Sequence, residues 1–145
     1  MFVGDGVPAI EAACAKVTIR FFRALDAREH QTAADFFAPD GVWHRAGTVL
    51  TGRAAIIEAL DKRSPERSTA HLLSNVWAEA IDPDHARVHF YLTVRERVAA
   101  ANEPVIFRAG GVLYGTDTYV RLAEGWRIQT KSTQPVLPAA ETEKS

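Results

Sequence analysis

The chain has 145 residues, 47% of them hydrophobic and 24% charged, and a formal net charge of -1. That is the size of one ordinary domain with enough apolar content for a core, and it lacks the basic excess of a nucleic-acid binder. The single cysteine, Cys14, excludes an intramolecular disulfide and is compatible with a reducing cytoplasm.

The opening MFVGDGVPAI has neither the basic start nor the long apolar run of a signal peptide. No apolar run reaches the roughly 20 residues a membrane helix needs, so the expectation is a cytoplasmic protein without a membrane partner. PAIEAACAKVTIRFFRALDARE reads as a first helix. Pro8 suits its first turn, and Ile10, Ala13, Cys14, Val17, Phe21 and Leu25 form one apolar stripe, with Ile19 and Phe22 on its shoulder. QTAADFFAPDG reads as a short second helix stopped by Pro39 and Gly41, GVWHRAGTVLTG as two short strands turning near Ala46-Gly47, and RAAIIEALDKRSP as a third helix.

Strands follow. The first covers 70–81, and after a turn at DPDH the second covers 86–98, with Val88, Phe90, Leu92 and Val94 on one face. After a polar loop AAANEP, residues 105–122 and 126–133 form a last pair joined by AEG. Helices first and long antiparallel strands after them define an α+β order. Long strands curl, and helices laid across a curled sheet enclose a hollow suited to a small molecule. The expected organisation is one domain over 1–137 and a flexible polar tail over 138–145.

The segments FFRALDARE, FFAPDGVWHRAG, LTGRAAIIEAL, TAHLLSN and DTYVRLAEGWRI, in this order and spacing, resemble the nuclear transport factor 2-like superfamily over roughly Ile10 to Leu137. Within it the chain is most similar to the SnoaL-like branch, which includes scytalone dehydratase and hexachlorocyclohexane dehydrochlorinase. The resemblance implies a cone-shaped fold with N-terminal helices across a strongly curved, mainly antiparallel sheet enclosing a pocket. It also implies a dyad of Asp26, near the end of the first helix, and His71, on a strand. Arg121 then looks like an arginine that binds substrate or leaving group, and Trp43 like an aromatic lining the pocket.

Read without the resemblance, each residue has a plainer role. Asp26 could be a solvated carboxylate or a cap, with Glu29 three residues on in capping-box spacing. A carboxylate near a helix C-terminus opposes the helix dipole, however, and a histidine able to become cationic would relieve it. A lone strand histidine is usually structural. As a base, His71 needs a pKa near working pH and a fixed tautomer, and a carboxylate on one ring nitrogen supplies the second. Arg121 could be a solvated strand arginine or pair with Asp117, on the same face by alternation. Asn75 shares parity with His71 and could donate to a substrate oxygen. Phe22, Trp43, Phe90 and Leu92 are core residues that would line a hollow core. His44 should face away from Trp43. His85 and His89 lack the further ligands a metal needs, so no metal and no organic cofactor is expected.

The favoured reading is a cofactor-independent lyase, dehydratase or isomerase acting on a small apolar ring-containing substrate. The alternative is a non-catalytic small-molecule-binding protein or accessory subunit, similar to the small subunit of ring-hydroxylating dioxygenases. A homodimer or homotrimer is expected under either.

Overall fold

The structure, a computed structural model, describes residues 6–45, 47–99, 102 and 106–139. Apart from Pro138 and Ala139, the expected tail lies outside the described residues, as do Ala46 of the expected turn and most of the loop before 106.

Helix α1 spans Val7–Asp26, with Pro8 in its first turn. Its buried residues are Ile10, Cys14, Thr18, Phe21, Phe22, Ala24 and Leu25. The stripe is therefore turned slightly from the expected one. Phe22 is inside, Ile19 is exposed, and a threonine sits fully buried where Val17 was expected. Burial pushes the Cys14 thiol up to about 12, so this cysteine is an inert packing group.

Helix α2 is one short piece, His30–Asp35. The helix stops before Pro39, where it was expected to end: strand β1 already begins at Phe37 and runs to Arg45. Both Phe37 and Ala38 are buried, so tertiary packing overrides the local helical pattern. Strand β2 (Thr48–Thr51) and helix α3 (Arg53–Asp61) follow. Three long strands and a shorter one complete the chain: β3 (Arg67–Asp82), β4 (His85–Val98), β5 (Ile106–Leu122) and β6 (Gly125–Leu137). β3 starts three residues earlier than expected, and β6 ends four residues later.

These strands form one six-stranded sheet in the order β2-β1-β6-β5-β4-β3. Only β1 and β6 run parallel; the other neighbours are antiparallel. The sheet is open, and α1 lies across its inner face, touching β3, β4 and β6. Phe21 is edge-on to Phe22, Phe37 and Trp43, with ring centroids 5.1, 5.7 and 5.4 Å apart. The last two contacts tie the helix to β1, and Phe22, edge-on to Phe90 at 5.6 Å, ties it to β4. On β5, Gly115 faces Phe90 of β4, and a Cβ there would lie 2.2 Å from the Phe90 ring. The ring fills the place of the missing side chain.

Two of the sheet's irregularities set which way Lys131 and Asn75 face. β6 gains a residue at Gln129, between the pairs Tyr119↔Ile128 and Thr118↔Thr130. β3 is irregular between Ser74 and Trp77. A bulge reverses which parity points inward.

Candidate active site

Strand alternation places Arg67, Thr69 and His71 on the inner face of β3, opposite the last turn of α1. There Asp26 makes three contacts. Its Oδ1 lies 2.5 Å from His71 Nδ1 and accepts from Thr69 Oγ1 at 2.9 Å, and its Oδ2 accepts from the His71 backbone N–H at 2.8 Å. The carboxylate thus grips the histidine by ring and backbone at once. The terminal carbonyl of Leu25 receives Arg63 Nη1 at 3.1 Å, which helps offset the dipole of the helix end.

An acceptor at Nδ1 places the ring proton there and leaves the Nε2 lone pair available. Among the described residues Nε2 has no hydrogen-bond partner. The ring stacks on Phe22 with centroids 5.1 Å apart. Burial holds the His71 pKa below the usual histidine value; Asp26 opposes that shift, while Arg63 and Arg67 add to it. Near neutral pH the imidazole is therefore uncharged and able to accept a proton.

His71 lines a cavity of about 520 Å³. Phe22, Leu25, Trp43, Leu92, Val94 and Leu113 give it apolar walls, and Arg45, Arg63, Arg67, Glu96 and Lys131 give it charged ones. Four expected site residues meet here besides Asp26: Phe22, Trp43, His71 and Leu92.

Three others do not. Arg121 shares the inward parity of Leu113 and Asp117, but it stands eight residues beyond Leu113, roughly 25 Å along the strand. It is exposed, paired with Trp126 near the hairpin end, and its backbone N–H donates to Asp84 O at 2.8 Å. The strand has run past the cavity. Asn75 sits in the β3 bulge with φ 51° and is exposed, so its parity with His71 is lost. Phe90 is buried edge-on to Phe22 at 5.6 Å, as core packing rather than cavity wall.

Lys131 is the residue that sequence reasoning missed. It is fully buried, its ammonium lies 2.9 Å from both Asp117 oxygens, and it stands 4.4 Å from the ring centroids of Phe21 and Phe22. Asp117 therefore pairs with Lys131, where Arg121 was expected. Burial pulls the Lys131 pKa down and Asp117 opposes that.

Away from the cavity, His44 is exposed as expected. His85 bonds Asp82, while His89 bonds Glu79 and Tyr114 and stacks on Trp77. Among the described residues no group of three or more His, Cys, Asp or Glu is placed to hold a metal ion, and no helix is long and apolar enough to cross a membrane.

Helices packed on an open six-stranded sheet, with a histidine–carboxylate pair at a hollow between them, define an α+β protein of the NTF2-like, cystatin-like class. The chain belongs to the SnoaL-like domain family, whose model matches residues 9–132. Similar structures include an NTF2-like protein with a cystatin-like fold from Novosphingobium aromaticivorans, at 18% identity and TM-score 0.72 over 86% of this chain and 80% of that one. A protein of the same organism, provisionally named a scytalone dehydratase, matches at 21% identity and TM-score 0.71 over 92% and 93%. A protein from Catenulispora acidiphila in complex with S-DNPA matches at 23% and TM-score 0.70 over 86% and 91%. No curated protein matches the chain.

Proposed function

We propose that the protein is a cofactor-independent lyase, dehydratase or isomerase that acts on a small apolar ring-containing substrate, with His71 as general base. The observation that carries this reading is the Asp26–His71 contact, 2.5 Å at Nδ1, which leaves Nε2 without a hydrogen-bond partner among the described residues, on a ring that lines the cavity. In this reading the apolar ring of the substrate lies against Phe22 and Trp43, which line the cavity. Nε2 takes a proton from an activated carbon of the substrate. The C–H electron pair becomes a double bond, and the leaving group departs with its bonding pair, or the proton returns at another carbon in an isomerisation. Asp26, a positioning residue, stabilises the imidazolium that forms. The dehydratase-named and S-DNPA-bound neighbours fit a family that handles small molecules.

The test is turnover of a panel of ring ketones and polyketide-like compounds by wild type and His71→Ala. Loss of the base is expected to lower kcat/KM by roughly 10²–10⁴-fold. In wild type, kcat/KM should fall with acid through a midpoint below about 6.5, because burial disfavours the protonated ring. Equal turnover by both proteins refutes His71 as the base.

Self-association belongs to the same reading. Leu72 and Trp77, each 53% exposed, stand beside Thr93 and His89 on the outer sheet face, an apolar surface suited to a homodimer or homotrimer. Sedimentation velocity should show a species above monomer mass; a monomer at micromolar concentration removes this part.

A further inference from the structure

Among the described residues, the cavity is lined by more cations than acids. Three guanidinium groups line it, Arg45, Arg63 and Arg67, against one lining carboxylate, Glu96, and Arg28 and Asp26 lie close by, within electrostatic reach of Arg63. Both acids are engaged: Asp26 holds His71 and Thr69, and Glu96 receives Arg67 Nε at 2.6 Å. Arg28 is spent on the carbonyl oxygens of Ser64 and Arg67.

Among the described residues, Arg45 and Arg63 have no acidic side chain in ion-pair contact. Arg63 donates to a carbonyl and to the Thr69 hydroxyl, and its Nε is buried with no hydrogen-bond partner. Arg45 lies over the Trp43 ring at 5.1 Å and makes no hydrogen bond among the described residues. Both are half-buried, and burial together with the neighbouring Arg67 pulls both pKa values below the usual guanidinium range. Holding two such cations side by side is unfavourable unless something compensates. Guanidinium groups match planar or tetrahedral oxyanions through paired N–H donors.

We propose that the substrate or ligand of this cavity is an organic anion: a ring-bearing molecule whose carboxylate, sulfate or phosphate group is held by Arg45 and Arg63. Its apolar body lies against Phe22, Trp43 and Leu92, which brings it beside His71. The arginines are the more exposed side of the cavity and the aromatic residues the buried side, so the anionic group stays near the opening while the ring goes deep. The inference rests on the cavity's being the ligand site, as in the reading above, and not on His71 acting as a base.

The test is isothermal titration calorimetry of the full chain with naphthoate, with naphthamide, its neutral counterpart, and with inorganic sulfate. Naphthoate is expected to bind at least about tenfold more tightly than naphthamide, the scale of a hydrogen bond to a charged group. Arg45→Gln should remove most of that preference, and Arg45→Lys, which keeps the charge, should retain part of it; thermal unfolding checks that both variants fold. Equal binding of acid and amide, or an Arg45→Gln protein that keeps the full preference, overturns the anion inference alone. So does sulfate binding as tightly as naphthoate, which would make this a free-anion site. Binding of neither naphthalene overturns the ligand-cavity reading itself.

Discussion

Lys131→Met is expected to lower folding stability by about 3–5 kcal/mol, the cost of breaking a buried ion pair from one side. The reason lies in what remains. Asp117 and Lys131 are both fully buried, and the ammonium contacts both carboxylate oxygens at 2.9 Å. The carboxylate's other partner is Thr18 Oγ1, which donates to Oδ2 at 2.7 Å. Thr18 has one hydroxyl proton and gives it to Asp117, so Tyr119 O–H must be the donor in its 2.5 Å contact with Thr18. Burial and the Asp117 charge raise the Tyr119 pKa well above normal, which keeps that proton in place. With methionine at 131 the chain of hydroxyls would still end on a buried carboxylate that has lost its cation.

Urea unfolding near neutral pH measures this. The control is Lys131→Met combined with Asp117→Leu, which replaces the pair by apolar groups and should recover most of the loss. A single substitution costing under about 1 kcal/mol would show that the carboxylate finds solvent or another partner, and the buried-pair description would fail.

The bulge that brings Lys131 inward also explains why it was not legible in the sequence. Plain alternation along β6 from the buried Ile128 points residue 131 outward. The extra residue at Gln129 reverses the parity, and Lys131 then pairs with Asp117 on the inner face. The same physics misplaced Asn75 on the irregular part of β3. Where no bulge intervenes, alternation and helical period were enough. Trp43 shares its face with Arg45, His71 shares its face with Thr69 and Arg67, and Leu92 with Val94, and all of these line the cavity or hold Asp26. Arg121 failed for a different reason: parity fixes the face a residue occupies but not its position along a strand longer than the cavity. The short second helix failed because burial of Phe37 and Ala38 in the sheet outweighs a weak local preference. The Asp26–His71 partnership was proposed from the family resemblance, since no local pattern links a helix end to a strand 45 residues away; only the topology brings the two together.

Asp26→Asn is expected to reduce turnover far more than it reduces stability, by roughly 10⁴-fold. The substitution keeps the shape of the side chain, and its effect follows from hydrogen-bond polarity. The backbone N–H of His71 donates to Oδ2 at 2.8 Å, so the amide oxygen of an asparagine must take that place. The amide nitrogen then occupies the position of Oδ1, facing Nδ1 and the Thr69 hydroxyl. An N–H facing Nδ1 requires a lone pair there, which moves the ring proton to Nε2, the nitrogen without a partner among the described residues. Thr69 Oγ1 can accept from the second amide hydrogen, but its own O–H, which donates to Oδ1 in the wild type, loses that acceptor at a partly exposed position, so the fold should survive with a loss of about 1–2 kcal/mol. The histidine would remain in position, stacked on Phe22, with its basic nitrogen on the wrong side. ¹⁵N shifts of the imidazole distinguish this from a merely structural role: wild type should show Nδ1 protonated and Asp26→Asn should show Nε2 protonated. Their unfolding curves should differ only by that small loss. An unchanged tautomer in the variant, or a tautomer exchange that leaves turnover intact, would separate Asp26 from the chemistry and reduce it to a link between α1 and β3.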